Sequence, residues 1–123
     1  MATARSLSEL YVTPNFRLQE LACKCCRGLL VSEYLGELVG ALQRFRDLVA
    51  APVLITSAYR CATHNGQVGG KRNSWHLQAA AADLVVPGRR PADLVALARK
   101  AGFREIVVEG DAVNGWLHVA VRD

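Results

Sequence analysis

The sequence predicts a single α+β domain in which helices pack on a small antiparallel sheet. Three observations lead there. Apolar residues recur at helical spacing over positions 32–49, short strand-like runs gather in the second half, and the chain is compositionally ordinary for a soluble globular protein. At 123 residues, 51% hydrophobic and 21% charged, it can bury one core without disulfides and has no room for a second domain.

In the long helical pattern, Leu35, Leu38, Val39, Leu42, Phe45 and Leu48 fall on one face, with Ser32 as a candidate N-cap and Pro52 as the stop. Residues 53–58 read as a strand, 62–68 as a short helix, and GGKRNS as a loop. A strand is expected over 79–86, ended by Pro87 and Gly88. Within it Ala79, Ala81, Asp83 and Val85 would share one face, leaving Ala80, Ala82, Leu84 and Val86 to pack on the other. Pro91 opens a second helix to about position 100, with Ala101 and Gly102 ending it. Two further strands are expected at 105–109 and 116–121. In the last, alternation puts Leu117, Val119 and Val121 opposite Trp116, His118, Ala120 and Arg122. No internal repeat, low-complexity segment or linker interrupts this order.

No apolar run approaches the length of a membrane span, and the opening MATARSLSELYV lacks the apolar core of a signal peptide. The expected location is therefore cytoplasmic, with export only by another route. A net charge of +4 is compatible with an anionic surface such as a cell wall or nucleic acid, and equally with a mildly basic soluble surface. GQVGGK is not a phosphate loop, since a P-loop starting at Gly66 would need its second glycine where Lys71 stands.

Chemistry concentrates in SWHLQAAAAD, residues 74–83, and GWLHVAVRD, residues 115–123. Asp83 lies within an apolar run, where an unpaired carboxylate is costly and calls for a cation. His76 precedes that run, and His118 points away from the core side of its strand. Two neutral imidazoles and one carboxylate fill three positions of a tetrahedral zinc and leave the fourth to water, which is the open arrangement of a hydrolase. His76, Asp83 and His118 are thus the candidate ligands of one zinc ion.

The first cluster resembles the S-x-H-x-x-G-x-A-x-D pattern of the zinc D-Ala-D-Ala carboxypeptidase and dipeptidase family, which includes phage endolysin peptidases and shares its fold with the Hedgehog signalling domain. NFRLQELACKCC, LITSAYRCATHNGQVGG and GWLHV agree with the same family in order, from about Asn15 to Arg122. This chain departs from the pattern at Ala79, where the family has glycine, and at Ala120, where many relatives carry a polar residue; both bear on pocket shape. The resemblance implies an N-terminal extension over 1–14 and a peptidase domain over 15–123, with peptidoglycan or its stem peptides as partner. It also implies that Arg60 of the YR motif binds or polarises the substrate and that Ser74 contacts its peptide groups. Ser74 is equally well placed to cap a turn, and Trp116 to wall the pocket or simply pack.

A zinc hydrolase needs a base near the attacking water. Glu109, at the end of EIVVE on the face of Glu105 and Val107 and brought back beside the His118 strand by the short turn GDAVN, is the first candidate, and Asp111 in that turn is the second; both would be solvated hairpin acids if no site formed there. Cys23, Cys25, Cys26 and Cys61 allow free buried thiols, a disulfide joining the N-terminal segment to the strand end, or a Cys3His metal set with His64. Three functional readings follow. One is a zinc peptidase acting on stem peptides, as a carboxypeptidase or an endolysin-type endopeptidase. The others are a metal-bearing binding module of the same fold without catalysis, and a nucleic-acid binder supported by charge alone. Short loops at 66–73 and 110–114 would leave an open groove, favouring longer peptides. Oligomeric state has no signature in the sequence.

Overall fold

The computed structural model describes residues 11–111 and 113–123. Residues 1–10, most of the extension expected over 1–14, and position 112 of the GDAVN turn lie outside the described residues. The chain begins with a hairpin, β1 (Tyr11–Thr13) and β2 (Phe16–Arg17), running into a single helical turn, α1 (Leu18–Leu21). Glu20 Oε2 accepts the Arg17 backbone N–H at 2.6 Å and so closes the start of that turn. Periodicity had not indicated these elements, which are too short to carry one.

Helix α2 (Leu35–Val49) buries Leu38, Val39, Leu42 and Phe45 of the expected face together with Ala41 and Val49, while Leu35 and Leu48 are half-buried. It starts later than position 32 because Ser32 caps nothing in the helix itself. Ser32 Oγ accepts from the Tyr34 N–H at 3.2 Å, and Tyr34 takes the N-cap position. The helix also stops before Pro52, where Ala50 turns left-handed (φ 56°) and returns its N–H to the Arg46 carbonyl at 3.0 Å.

The main sheet contains β3 (Leu54–Ser57), β4 (Ala81–Val85), β5 (Glu105–Glu109) and β6 (Trp116–Ala120), all antiparallel in the order β3-β4-β6-β5. Between β3 and β4 come α3 (Ala62–Gln67) and a 3-10 turn, Trp75–Gln78. Between β4 and β5, a 3-10 turn at Pro91–Leu94 leads into α4 (Val95–Ala101), which Gly102 ends. Ala80, Ala82, Leu84 and Val86 meet Leu117, Val119 and Val121 on one face of the sheet, and α2 and α4 cover them through Leu42, Phe45 and Ala98. This is the α+β arrangement the sequence predicts. No helix among the described residues is long and apolar enough to cross a membrane.

One local expectation is overturned. Ala79 is not a strand residue on the Asp83 face. It is the left-handed C-cap (φ 55°) of the Trp75–Gln78 turn, fully buried, with its N–H returned to the carbonyls of His76 and Trp75. The strand starts two residues later because the turn that delivers His76 must first be closed.

Candidate metal centre and its cleft

The sheet register brings the site together. Asp83 on β4 lies directly opposite His118 on β6, and on its other side it faces Ser57 of β3. His76 enters from the 3-10 turn just before β4, its backbone N–H held by Ser74 Oγ at 3.2 Å. His76 Nε2 lies 3.2 Å and His118 Nδ1 3.1 Å from the same oxygen, Asp83 Oδ1. The imidazole rings are 5.2 Å apart at 60°.

The remaining ring nitrogens define the tautomers. His76 Nδ1 donates to the Ala58 carbonyl at 2.6 Å, and His118 Nε2 donates to Glu105 Oε1 at 2.6 Å. With those protons committed, neutral rings present two lone pairs to a carboxylate oxygen. Three acceptors facing one another require a cation or extra protons. Zinc with bonds of about 2.0–2.1 Å sets tetrahedral ligand atoms about 3.3 Å apart, close to the spacings here, and outer partners for both rings are the usual support of histidine ligands. The three side chains therefore fit a divalent zinc, and they form one of two groups of potential metal-holding side chains among the described residues.

Electrostatics agree with the geometry. Burial alone would raise the Asp83 carboxyl, but where extra protons take the cation's place the hydrogen bonds from His118 and His76 hold it well below the usual carboxylate range. Burial opposes charge on His118 too, yet the Asp83 and Glu105 carboxylates outweigh it and raise the imidazole above 6.5. The second oxygen of Asp83 is used separately: Oδ2 accepts from an Arg60 terminal nitrogen at 2.9 Å. Arg60 is itself held by Ser57 Oγ at 3.0 Å and Asn65 Oδ1 at 3.4 Å. Asn65 is buried and donates to the Lys71 carbonyl at 2.8 Å, while Gly70 runs so close to its carboxamide that any Cβ there would overlap it.

These groups lie along an open cleft of about 520 Å³ whose walls include Arg60, Ser74, Glu105, Glu109, Trp116 and His118. Glu105 is opposite Ala120 and Glu109 is opposite Trp116, so the two glutamates flank His118 diagonally across the β5–β6 pair. Glu105 is engaged by the His118 ring. Asp111 lies apart, beside Arg90 and Pro91, and its carboxylate accepts the backbone N–H groups of Val113 at 2.9 Å and Asn114 at 2.6 Å. Those two bonds lower its pKa. Ser74 is both a capping serine and a cleft residue.

Sequence reasoning did not single out Glu105, Asn65 or the Ala58 carbonyl. Alternation put Glu105 on the face of Glu109, but only the hairpin register shows that it reaches His118. His64 is half-buried on α3 and belongs to neither group of potential ligands.

Comparisons with known proteins show the family of the chain. Over 73 residues, 58% of this chain, the sequence is 37% identical to the zinc D-Ala-D-Ala carboxypeptidase of Streptomyces albus G, and the matched segment spans 29% of that relative's length. A family model described as peptidase M15 matches residues 14–120, nearly the whole domain that carries the cleft. The chain belongs to the peptidase M15 family.

Proposed function

We propose that this protein is a zinc-dependent peptidase that hydrolyses peptidoglycan stem peptides, with His76, Asp83 and His118 as the metal ligands. The observation that carries the reading is the convergence of three lone-pair-bearing atoms at one point of an open cleft. The likeness to a carboxypeptidase acting on D-Ala-D-Ala supports the substrate class. A zinc ion held by these ligands supplies a water acidified towards neutrality and polarises the carbonyl under attack.

The chain's own groups do the rest. Glu109 takes the proton of the attacking water and delivers it to the leaving amine. It suits this role better than Asp111, whose carboxylate is tied to the turn and lies outside the cleft. Arg60 spends three of its N–H groups on Ser57, Asn65 and Asp83, leaving donors for a substrate carboxylate or the oxygen that becomes negative. Ser74 and Trp116 line the cleft where the peptide lies. Its openness favours stem peptides longer than a dipeptide.

Metal content by mass spectrometry, combined with product analysis on purified peptidoglycan, tests this reading. Glu109→Gln is expected to retain zinc and to cleave at least about a hundredfold more slowly, the usual contribution of a positioned base being about 10² to 10⁴. His76→Ala or His118→Ala is expected to lose the zinc of this centre along with turnover. Full activity in Glu109→Gln beside a dead Asp111→Asn would move the base to Asp111. Zinc binding with no product from any muropeptide would leave a binding module instead.

A further inference from the structure

We propose that Cys23, Cys25, Cys26 and Cys61 form a second, structural zinc site of four thiolates, which pins the N-terminal segment to the start of α3. It uses no residue of the His76–Asp83–His118 centre and stands independently of the catalytic reading. All four sulfurs lie within 4.8 Å of one another. Three of the separations are 3.4 Å (Cys25–Cys61), 3.6 Å (Cys23–Cys25) and 3.7 Å (Cys23–Cys61). Tetrahedral zinc with Zn–S bonds of about 2.3 Å sets its sulfurs about 3.8 Å apart, whereas a disulfide requires about 2.05 Å. The four cysteines are free, so the cluster is not two crosslinks. The fourth member is Cys26 rather than His64.

The backbone is arranged around the sulfurs as well. N–H groups of Cys61, Gly28 and His64 point at the sulfurs of Cys23, Cys26 and Cys61 respectively, each at 3.4 Å. Such donors stabilise thiolate over thiol and are the outer support a metal thiolate needs. The loop is wound tightly to achieve this. Arg27 N–H returns to the Cys23 carbonyl and Cys23 N–H takes the Gly28 carbonyl, both at 2.8 Å, with Arg27 in the left-handed region (φ 59°). A non-glycine residue remains there only where its surroundings impose it.

Little else holds this part of the chain. Residues 22–34 contain no helix or strand, and none of residues 24–34 is buried. Its core contacts are those of half-buried Leu29 and Tyr34, and so lightly packed a stretch in a small domain is a place where a metal substitutes for apolar burial. Each cysteine would bind as thiolate, its proton passing to solvent. Lys24 and Arg27, adjacent in sequence, carry charge of the sign that offsets four thiolates around a dication.

Zinc counted on the full purified chain tests the proposal. The wild-type protein is expected to hold two ions, and His76→Ala/His118→Ala to retain one. Cys25→Ser/Cys26→Ser is expected to lose one ion relative to wild type. Should that cysteine variant fail to fold, cobalt loading of the His76→Ala/His118→Ala protein decides instead. Intense thiolate-to-cobalt charge-transfer absorption is expected, removed by a mercurial that titrates thiols. A histidine variant with no metal and no such absorption overturns the site, as does a wild-type intact mass showing a disulfide among these cysteines.

Discussion

His118 is a ligand only if its Nδ1 lone pair is aimed, and Glu105 does the aiming by accepting the Nε2–H hydrogen bond at 2.6 Å. The carboxylate also makes the ring a better donor to a cation. Glu105→Gln keeps the shape and removes the charge, so zinc affinity at this centre is expected to fall about 10- to 100-fold. Competition against a chelator of known affinity measures it, and an unchanged affinity would mean that the sheet alone orients the ring. The two oxygens of Asp83 show a similar division, Oδ1 towards the imidazoles and Oδ2 towards Arg60. Burial of Asp83 in an apolar run was legible as a demand for a cation; that an arginine shares the demand was not, since Arg60 is distant in sequence.

Among the elements, the turn that carries His76 contains an uneconomical residue. Ala79 occupies a left-handed position that costs an L-residue about 1–2 kcal/mol, while glycine gives back about 0.4–1 kcal/mol through the unfolded chain. Ala79→Gly is therefore expected to raise stability by about 0.5–1 kcal/mol, read from chemical denaturation of the zinc-loaded protein. A loss would show that packing of the buried methyl outweighs the backbone. This position explains why the related pattern has glycine there, and also why periodicity misplaced it: alternation continues formally through Ala79, but a turn cap obeys dihedral preference, not burial. Helix α2 was legible because six of its apolar side chains repeat at one spacing. The β5–β6 register was not, because the turn between the strands has no apolar pattern. Glu105 and Glu109 could thus be assigned a face, and the short turn brings Glu109 back beside the His118 strand, but neither could be paired with a particular residue.

At the scale of the whole molecule, folding and protonation are linked through the same site. In chelated protein, Asp83 contributes stability that is fully present above its ordinary value of 3.8 and lost as pH falls through its lowered folded value. His118, raised above 6.5, contributes stability that is fully present below 6.5 and lost as pH rises through the folded value. Zinc held by His118 would take the place of that proton. The gap in Tm between zinc-loaded and chelated protein is accordingly expected to widen as pH rises above 6.5. A gap independent of pH across that range would exclude His118 as the coupled group.

The strand order carries a further consequence. Asp83 and His118 are on β4 and β6, the two inner strands, while Glu105 and Glu109 are on β5, an edge strand. Edges open first in local unfolding and centres last, because each inner strand is hydrogen-bonded on both sides. Fraying of β5 detaches the acid that orients the ring and the proposed base, yet leaves the β4–β6 pairing and the proposed metal ligands in register. As the protein is warmed or denatured, the proposed turnover is expected to be lost ahead of the ion, so that an inactivated molecule would still carry zinc.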